Sequence, residues 1–251
     1  MTDFLLLLVA GVLGGVLNAV AGGGTFITFP ALVFVGVPVV SANATSTVAA
    51  LPGYLSAALG FRREIALLPR AIFSRLTVLT MAGGAAGSAL LLLSSNEAFA
   101  VLVPFLLLAA TLVFMAGGRL RAWAARYRGG VTAFGAGTMI PVAIYGGYFN
   151  GGLGIVLLAL FALWGMTDLI EMNGLKNWLS FALSIISFAI FAAGGQVAWG
   201  PALSVAIGTV LGGYLGAPVA RSIPVPVLRG LIAVVGFGMT AVFFWRLASG
   251  A

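Results

Sequence analysis

Lys176 is the only lysine in this chain of 251 residues, and it lies just inside an apolar stretch, in the run Glu171-Met172-Asn173-Gly174-Leu175-Lys176-Asn177-Trp178. A cation at membrane depth costs roughly 2.5–3.5 kcal/mol on insertion scales. Such a residue either holds a ligand, or sits a turn inside a helix end and snorkels to the headgroups. Amide and hydroxyl side chains gather beside it, at Asn173 and Asn177, and at one matching place, where Asn43, Thr45, Ser46 and Thr47 follow one another. When the two runs are aligned, Lys176 takes the place of Ser46. Asn43 and Asn173 read as N-caps, which would set Thr45, Ser46, Thr47 and Asn177 within the first turn or so. A helix N-terminus carries partial positive charge and a lysine beside it adds a full one, so the combination favours an anion. The competing reading is that each Ser or Thr bonds back to its own helix.

A second pair of polar interruptions is rich in glycine. One runs from Asn18 through Gly22, Gly23 and Gly24 to Thr25; the other is Asn150-Gly151-Gly152-Leu153-Gly154. Glycine allows unusual backbone angles and close approach to a ligand. Backbone N–H groups that open a short helix can bind an anion. The plainer reading is a helix hairpin packed with small residues. A dinucleotide loop is disfavoured, because no strand precedes the glycines and no GxGxxG fits.

Other chemistry is narrowed by what is missing. The chain has no cysteine and no histidine, which excludes disulfides, thiol redox chemistry, Cys/His zinc sites and histidine bases. HExxH and GxSxG are absent as well. No metal and no cofactor is expected, and no enzyme: no convincing acid, base and nucleophile set exists. The net charge of +7 would suggest nucleic acid in a soluble protein, but the arginines fall mostly between apolar stretches, where topology explains them. Asp168 and Glu171 precede the helix of Lys176; five-residue spacing is a poor helical pairing for Glu171 and Lys176.

The elements that must position these residues are apolar helices. Mean hydropathy is +1.19, and only 7% of residues are charged, which indicates a single transmembrane domain over 1–251. The run Ala19-Val20-Ala21 has the form of a signal-peptide cleavage site, yet Met1-Thr2-Asp3 supplies no positive region ahead of it, so the segment reads as a mature helix. Apolar segments fall at about 4–21, 25–36, 43–60, 72–93 and 98–116, and again at about 131–149, 153–165, 173–193, 199–217 and 226–246. The second of each set is short, roughly 20 Å of helix, marginal against a hydrocarbon core of about 30 Å. It suits a re-entrant or broken helix. Gly14-Gly15 with Asn18 matches Gly146-Gly147 with Asn150; Gly36 with Asn43 matches Gly165 with Asn173; and the pair Gly83/Gly87 matches Gly212/Gly216. These matches make 4–116 and 131–246 repeats. Pro52-Gly53 should kink the third segment.

Charge then orients the repeats. Arginines cluster at 61–71, in the linker 117–130 and around 218–225, and these loops are expected in the cytoplasm. The loops at 94–97 and 194–199 lack cations and are expected outside, with both termini. Equivalent loops lie on opposite sides, so the fold class expected is an all-α integral membrane protein of two inverted repeats, about five helical segments each. Inverted repeats with short broken helices are a recurrent transporter plan, with substrate held near the midplane. Lys176, Asn177 and Asn173 are expected to face Asn43, Thr45 and Ser46 across a central cavity lined by the two glycine turns.

At these residues the chain resembles the TauE/SafE sulfite exporter family, also called TSUP. The likeness covers nearly the whole length. It rests on the run Asn18 to Pro30 (Asn-x-x-x-Gly-Gly-Gly-Thr-x-x-x-x-Pro), the run Ala42 to Ser46, and Tyr148 to Gly154 with Asn173, Lys176 and Asn177. The resemblance implies a transporter of sulfur-containing anions, such as sulfite, sulfoacetate or another organosulfonate, in a bacterial inner membrane. In the second half Gly154-Ile155-Val156-Leu157 replaces a fuller glycine run, and no proline matches Pro30, so the two halves of the site are unlike. Expected partners are a small anion and membrane lipid; a homo-oligomer is left open. The alternatives are a channel for another small solute and a membrane-embedded accessory or assembly protein without a transport cycle.

Overall fold

The structure, a computed structural model, describes residues 2–20, 22–127, 132–222 and 225–249. Among these every regular element is a helix, and there is no strand. Eleven helices follow one another: α1 (Thr2–Val20), α2 (Thr25–Phe34), α3 (Val39–Gly60), α4 (Arg62–Ile65), α5 (Arg70–Leu93), α6 (Asn96–Arg126), α7 (Ala136–Tyr148), α8 (Leu153–Leu163), α9 (Leu169–Ala193), α10 (Trp199–Ser222) and α11 (Val225–Ser249). Three of them, α5, α9 and the first 25 residues of α6, are long and apolar enough to cross a membrane by length and composition.

Several boundaries differ from expectation, among them that of α7, which begins at Ala136 rather than near 131. α3 begins at Val39 rather than near Asn43, because Pro38, with φ −52 and ψ 145, starts the helix directly after itself. α9 begins at Leu169, since the Asp168 carboxylate accepts from the Ile170 N–H at 2.7 Å and the Glu171 N–H at 3.4 Å. Asn43 and Asn173 are therefore interior residues and not N-caps. α6 continues to Arg126, so most of the stretch read as a linker, 117–130, is helical. The stretch read as a loop at 218–225 is helical as far as Ser222, and residues 223–224 lie outside the described set.

The helices pair reciprocally. α1 packs beside α10, and α7 beside α5, in both cases running parallel. The contacts are made by small residues: a Cβ on Gly11 would stand 2.9 Å from Gly208 Cα, and one on Gly83 would stand 2.6 Å from Ala143 Cβ. Backbones this close gain dispersion contacts where water offers no hydrophobic drive. α3 crosses α9 antiparallel. A Cβ on Gly174, near the start of α9, would stand 3.0 Å from Phe61 Cβ at the end of α3. At the opposite end Thr45 Oγ1 accepts from the Ala198 N–H at 3.0 Å.

Each short helix sits in its own apolar cluster. Phe26, Phe29 and Leu32 of α2 pack with Phe99, Phe149 and Phe243; Leu157, Leu160 and Phe161 of α8 pack with Leu175 and Leu179. Both helices end alike. Val35, Gly36 and Val37 donate to Ala31, Val33 and Leu32, and Trp164, Gly165 and Met166 donate to Leu160, Ala162 and Phe161. The glycines at φ +87 and +94 make these left-handed helix stops. The Gly36/Gly165 correspondence read from sequence is a shared backbone device.

Candidate functional site

The two glycine turns meet. Gly22 (φ +76) and Gly154 are so close that a Cβ on either would stand 2.8 Å from the other's Cα, so neither turn tolerates a side chain there. The start of α8 is reached through Asn150 (φ 58) and Gly152 (φ 72), both in the left-handed region. Asn is the non-glycine residue that enters it most readily. The Tyr145 hydroxyl donates to the Gly151 carbonyl and ties this turn to α7. On the other side the Asn18 side chain accepts from the Gly24 N–H at 2.8 Å and holds the turn that opens α2. Thr25, Gly23 and Gly151 are buried in the same region. The N-termini of the two short helices thus start from one contact.

Lys176 lies against it. The residue is 0% exposed, and a Cβ on Gly154 would stand 3.2 Å from Lys176 Cδ. Its Nζ donates to Asn173 Oδ1 at 2.9 Å, and Asn173 Nδ2 in turn donates to the Leu169 carbonyl at 2.8 Å. The side chain does not snorkel. Among the described residues Nζ meets this one neutral acceptor and no carboxylate, Glu171 included. An ammonium has three protons to donate. Asn177, the next residue, is fully buried and neither atom of its amide has a partner. The same holds for Asn150. Buried polar groups without partners are rare, and these two amides are open to a water or a ligand.

The other run of hydroxyls sits elsewhere. Ser46 Oγ hydrogen-bonds Thr28 Oγ1 of α2 at 2.6 Å, and Asn43 Nδ2 donates to the Tyr148 carbonyl at 2.8 Å. Thr47 bonds back to the Asn43 carbonyl, and Thr45 holds the Ala198 N–H. Measured from the Phe61–Gly174 contact, Ser46 lies ~22 Å along α3 and Lys176 ~3 Å along α9 at 1.5 Å per residue. The expected face-to-face arrangement across a central cavity is therefore not formed. Asn43 and Ser46 join Asn18 and Gly24 around α2, whereas Asn173, Lys176 and Asn177 join Gly154 around α8. Antiparallel crossing of α3 and α9 puts corresponding residues at opposite depths.

One residue links the clusters and was missed in the sequence. Tyr54 of α3 is 4% exposed, and its hydroxyl approaches the side chains of Asn150 and Asn18, although neither amide atom of Asn150 meets it in good hydrogen-bond geometry. Asn18 and Asn150 are the corresponding residues of the two glycine turns. A tyrosine in an apolar helix carries no sequence signal for such a place; only its position two residues after Pro52 set it apart.

A bundle of apolar helices with two short helices starting inside it, and one buried cation at their meeting point, is an all-α integral membrane protein. The chain belongs to the sulfite exporter TauE/SafE family, whose model matches residues 7–243. A "Probable membrane transporter protein" of Haemophilus influenzae is 31% identical over 237 residues, covering 94% of this chain and 92% of its own. A "Probable membrane transporter protein ORF9" of a Sinorhizobium species is 26% identical over 240 residues, 93% of this chain and 89% of its own. The Escherichia coli K12 "Probable membrane transporter protein YfcA" is 26% identical over 232 residues, 91% of this chain and 85% of its own. These relatives are named as transporters, not as enzymes. No solved structure matches the chain.

Proposed function

We propose that the protein carries a small sulfur-containing anion, such as sulfite, sulfoacetate or another organosulfonate, across a bacterial inner membrane. The observation that carries this reading is Lys176: a cation fully buried against the meeting point of two glycine turns, with one neutral partner. An apolar interior would exclude such a charge unless a counter-charge arrives. An oxyanion supplies it. The anion would take the free protons of Nζ and the unpartnered amides of Asn177 and Asn150. The positive ends of both short helices add to the same field.

The reciprocal helix pairing supports a reading as inverted repeats. α1 and α7 each pack on the other half's fourth segment, and the corresponding helices α3 and α9 run antiparallel. Lys176 neutralises the anion during dehydration, while neutral donors orient it without trapping it.

Thermal stabilisation of the purified protein by sulfite, thiosulfate, sulfate, sulfoacetate and taurine tests the substrate class, because a ligand specific to the folded form raises its stability. Stabilisation by at least one sulfur oxyanion is expected, and none by zwitterionic taurine; a flat panel would count against an anion carrier. Orientation is tested separately in this cysteine-free chain. A Ser95→Cys variant should label from outside and an Arg63→Cys variant only from the cytoplasm. Labelling of both from one side would refute the orientation of the first half on which the inverted arrangement rests.

A further inference from the structure

A cavity of about 310 Å³ opens beside the arginine-rich end of the bundle, where α3, α4, α5 and α9 meet. This is within the size range of small-molecule sites, ~300–1,000 Å³. Its walls are Leu55, Ile65, Phe73 and Trp178, with Arg62 and Arg70 the charged members of its lining and no acid among them. The aromatic wall is held in place. Trp178 Nε1 donates to Thr77 Oγ1 at 2.9 Å, and its ring lies 5.1 Å from that of Phe73. The indole proton is thereby used, and the wall offers an occupant only apolar surface.

Such a lining does not suit a small hydrated anion. Two arginines could attract one, but the apolar walls would strip its water and return no hydrogen bonds. The fit is to an amphiphile with an anionic head and a hydrocarbon tail. The surroundings point the same way. Leu67, between the two arginines in sequence, is 79% exposed, and Leu59 is 56% exposed. Exposed leucines flanked by arginines belong at the boundary of acyl chains and headgroups, where basic side chains draw anionic lipid. Arg70 is also the first residue of α5, so the partial positive charge of that helix end adds to its own.

We propose that this cavity is a binding site for one anionic phospholipid of the adjoining leaflet, with its phosphate between Arg62 and Arg70 and part of an acyl chain against Leu55, Phe73 and Trp178. The site is separate from the Lys176 cluster but shares a wall with it. Trp178 follows Lys176 and Asn177 on α9, and Gly174 packs on Phe61 and Ile65 beside the cavity. A bound lipid would brace α4 against the first turns of α9.

Native mass spectrometry of the purified full chain, titrated with dioleoyl phosphatidylglycerol or dioleoyl phosphatidylcholine, tests the assignment. One tight phosphatidylglycerol site is expected, with phosphatidylcholine clearly weaker. The double variant Arg62→Gln/Arg70→Gln should bind phosphatidylglycerol about thirtyfold less tightly, about fivefold for each of the two arginines. Arg63→Gln removes one charge from the same exposed turn but does not line the cavity, and should cost at most about fivefold, the effect of a single surface arginine. Ala66→Trp, which fills the cavity from its exposed rim, should abolish the tight site while both arginines remain. Equal binding of the two lipids would overturn the proposal, as would retention of the tight site in Ala66→Trp, or equal losses in Arg63→Gln and the double variant.

Discussion

Replacing Lys176 by methionine keeps most of the stem and removes the charge, and it acts in opposite directions on the empty and the loaded protein. In the empty protein the ammonium is fully buried with one neutral acceptor at 2.9 Å. Deleting it removes a burial cost of roughly 2.5–3.5 kcal/mol and forfeits one charge-assisted hydrogen bond worth about 1.5–3 kcal/mol. Asn173, half-buried and still bonded to the Leu169 carbonyl, can regain solvent for its oxygen. The balance runs from about 0.5 kcal/mol against the variant to ~2 kcal/mol in its favour. At ~2–4 °C per kcal/mol for a chain of this size, Tm should hold or rise by a few degrees. In the loaded protein the variant loses its full charge on the anion, about 1.5–3 kcal/mol, or ten- to a hundredfold in Kd. The assay is a thermal melt with and without the anion that stabilises the parent, paired with uptake into vesicles. Lys176→Met should melt near or above the parent without anion and show little shift with it. A variant that folds, binds the anion as tightly as the parent and transports it would refute the assignment of Lys176 to the substrate.

Two glycines with similar backbone angles should separate geometry from site. Gly22→Ala meets both a left-handed φ and the Gly154 backbone, whereas Gly36→Ala meets the φ alone, with nothing within 4 Å; the second should cost ~1 kcal/mol of stability and spare binding, while the first should abolish the anion-induced shift. Equal behaviour of the two would separate the Gly22–Gly154 contact from function. Tyr54→Phe removes only the hydroxyl beside Asn18 and Asn150, and should weaken anion binding by about fivefold at unchanged Tm, on the scale of one neutral hydrogen bond; unaltered binding would leave Tyr54 a packing residue. Thr45→Val leaves the Ala198 N–H without its partner and should cost about 1–3 kcal/mol in thermal stability, with Kd for the anion unchanged; a large loss of affinity would return Thr45 to the site.

Much of this molecule is legible in its sequence, for a physical reason in each case. Long apolar stretches with few charges can only be membrane-type helices, because backbone groups in lipid must bond internally. The short lengths of 25–36 and 153–165 reappear as α2 and α8, bounded by glycines whose positive φ halts a helix wherever it occurs. Lys176 stood out because burying an ammonium is costly, and that cost does not depend on tertiary detail. Cap positions were less legible: Asn43 and Asn173 are good cap residues, but Pro38 and Asp168 lie earlier in the chain and start the helices first.

Depth and partnership were decided only by the tertiary structure. Aligning Ser46 with Lys176 is a statement about correspondence, and the sequence does not say how far corresponding residues lie from the point where α3 and α9 cross. That distance follows from which small residues let α1 approach α10 and α5 approach α7, and these long-range contacts set the level of every side chain on the crossing helices. Hence Thr45 is spent on the Ala198 N–H, the Tyr54 hydroxyl lies near both turn asparagines, and Lys176 lies against Gly154 rather than opposite Ser46. Local chemistry is written residue by residue, but a site is a set of distances, and those belong to the packing of the whole bundle.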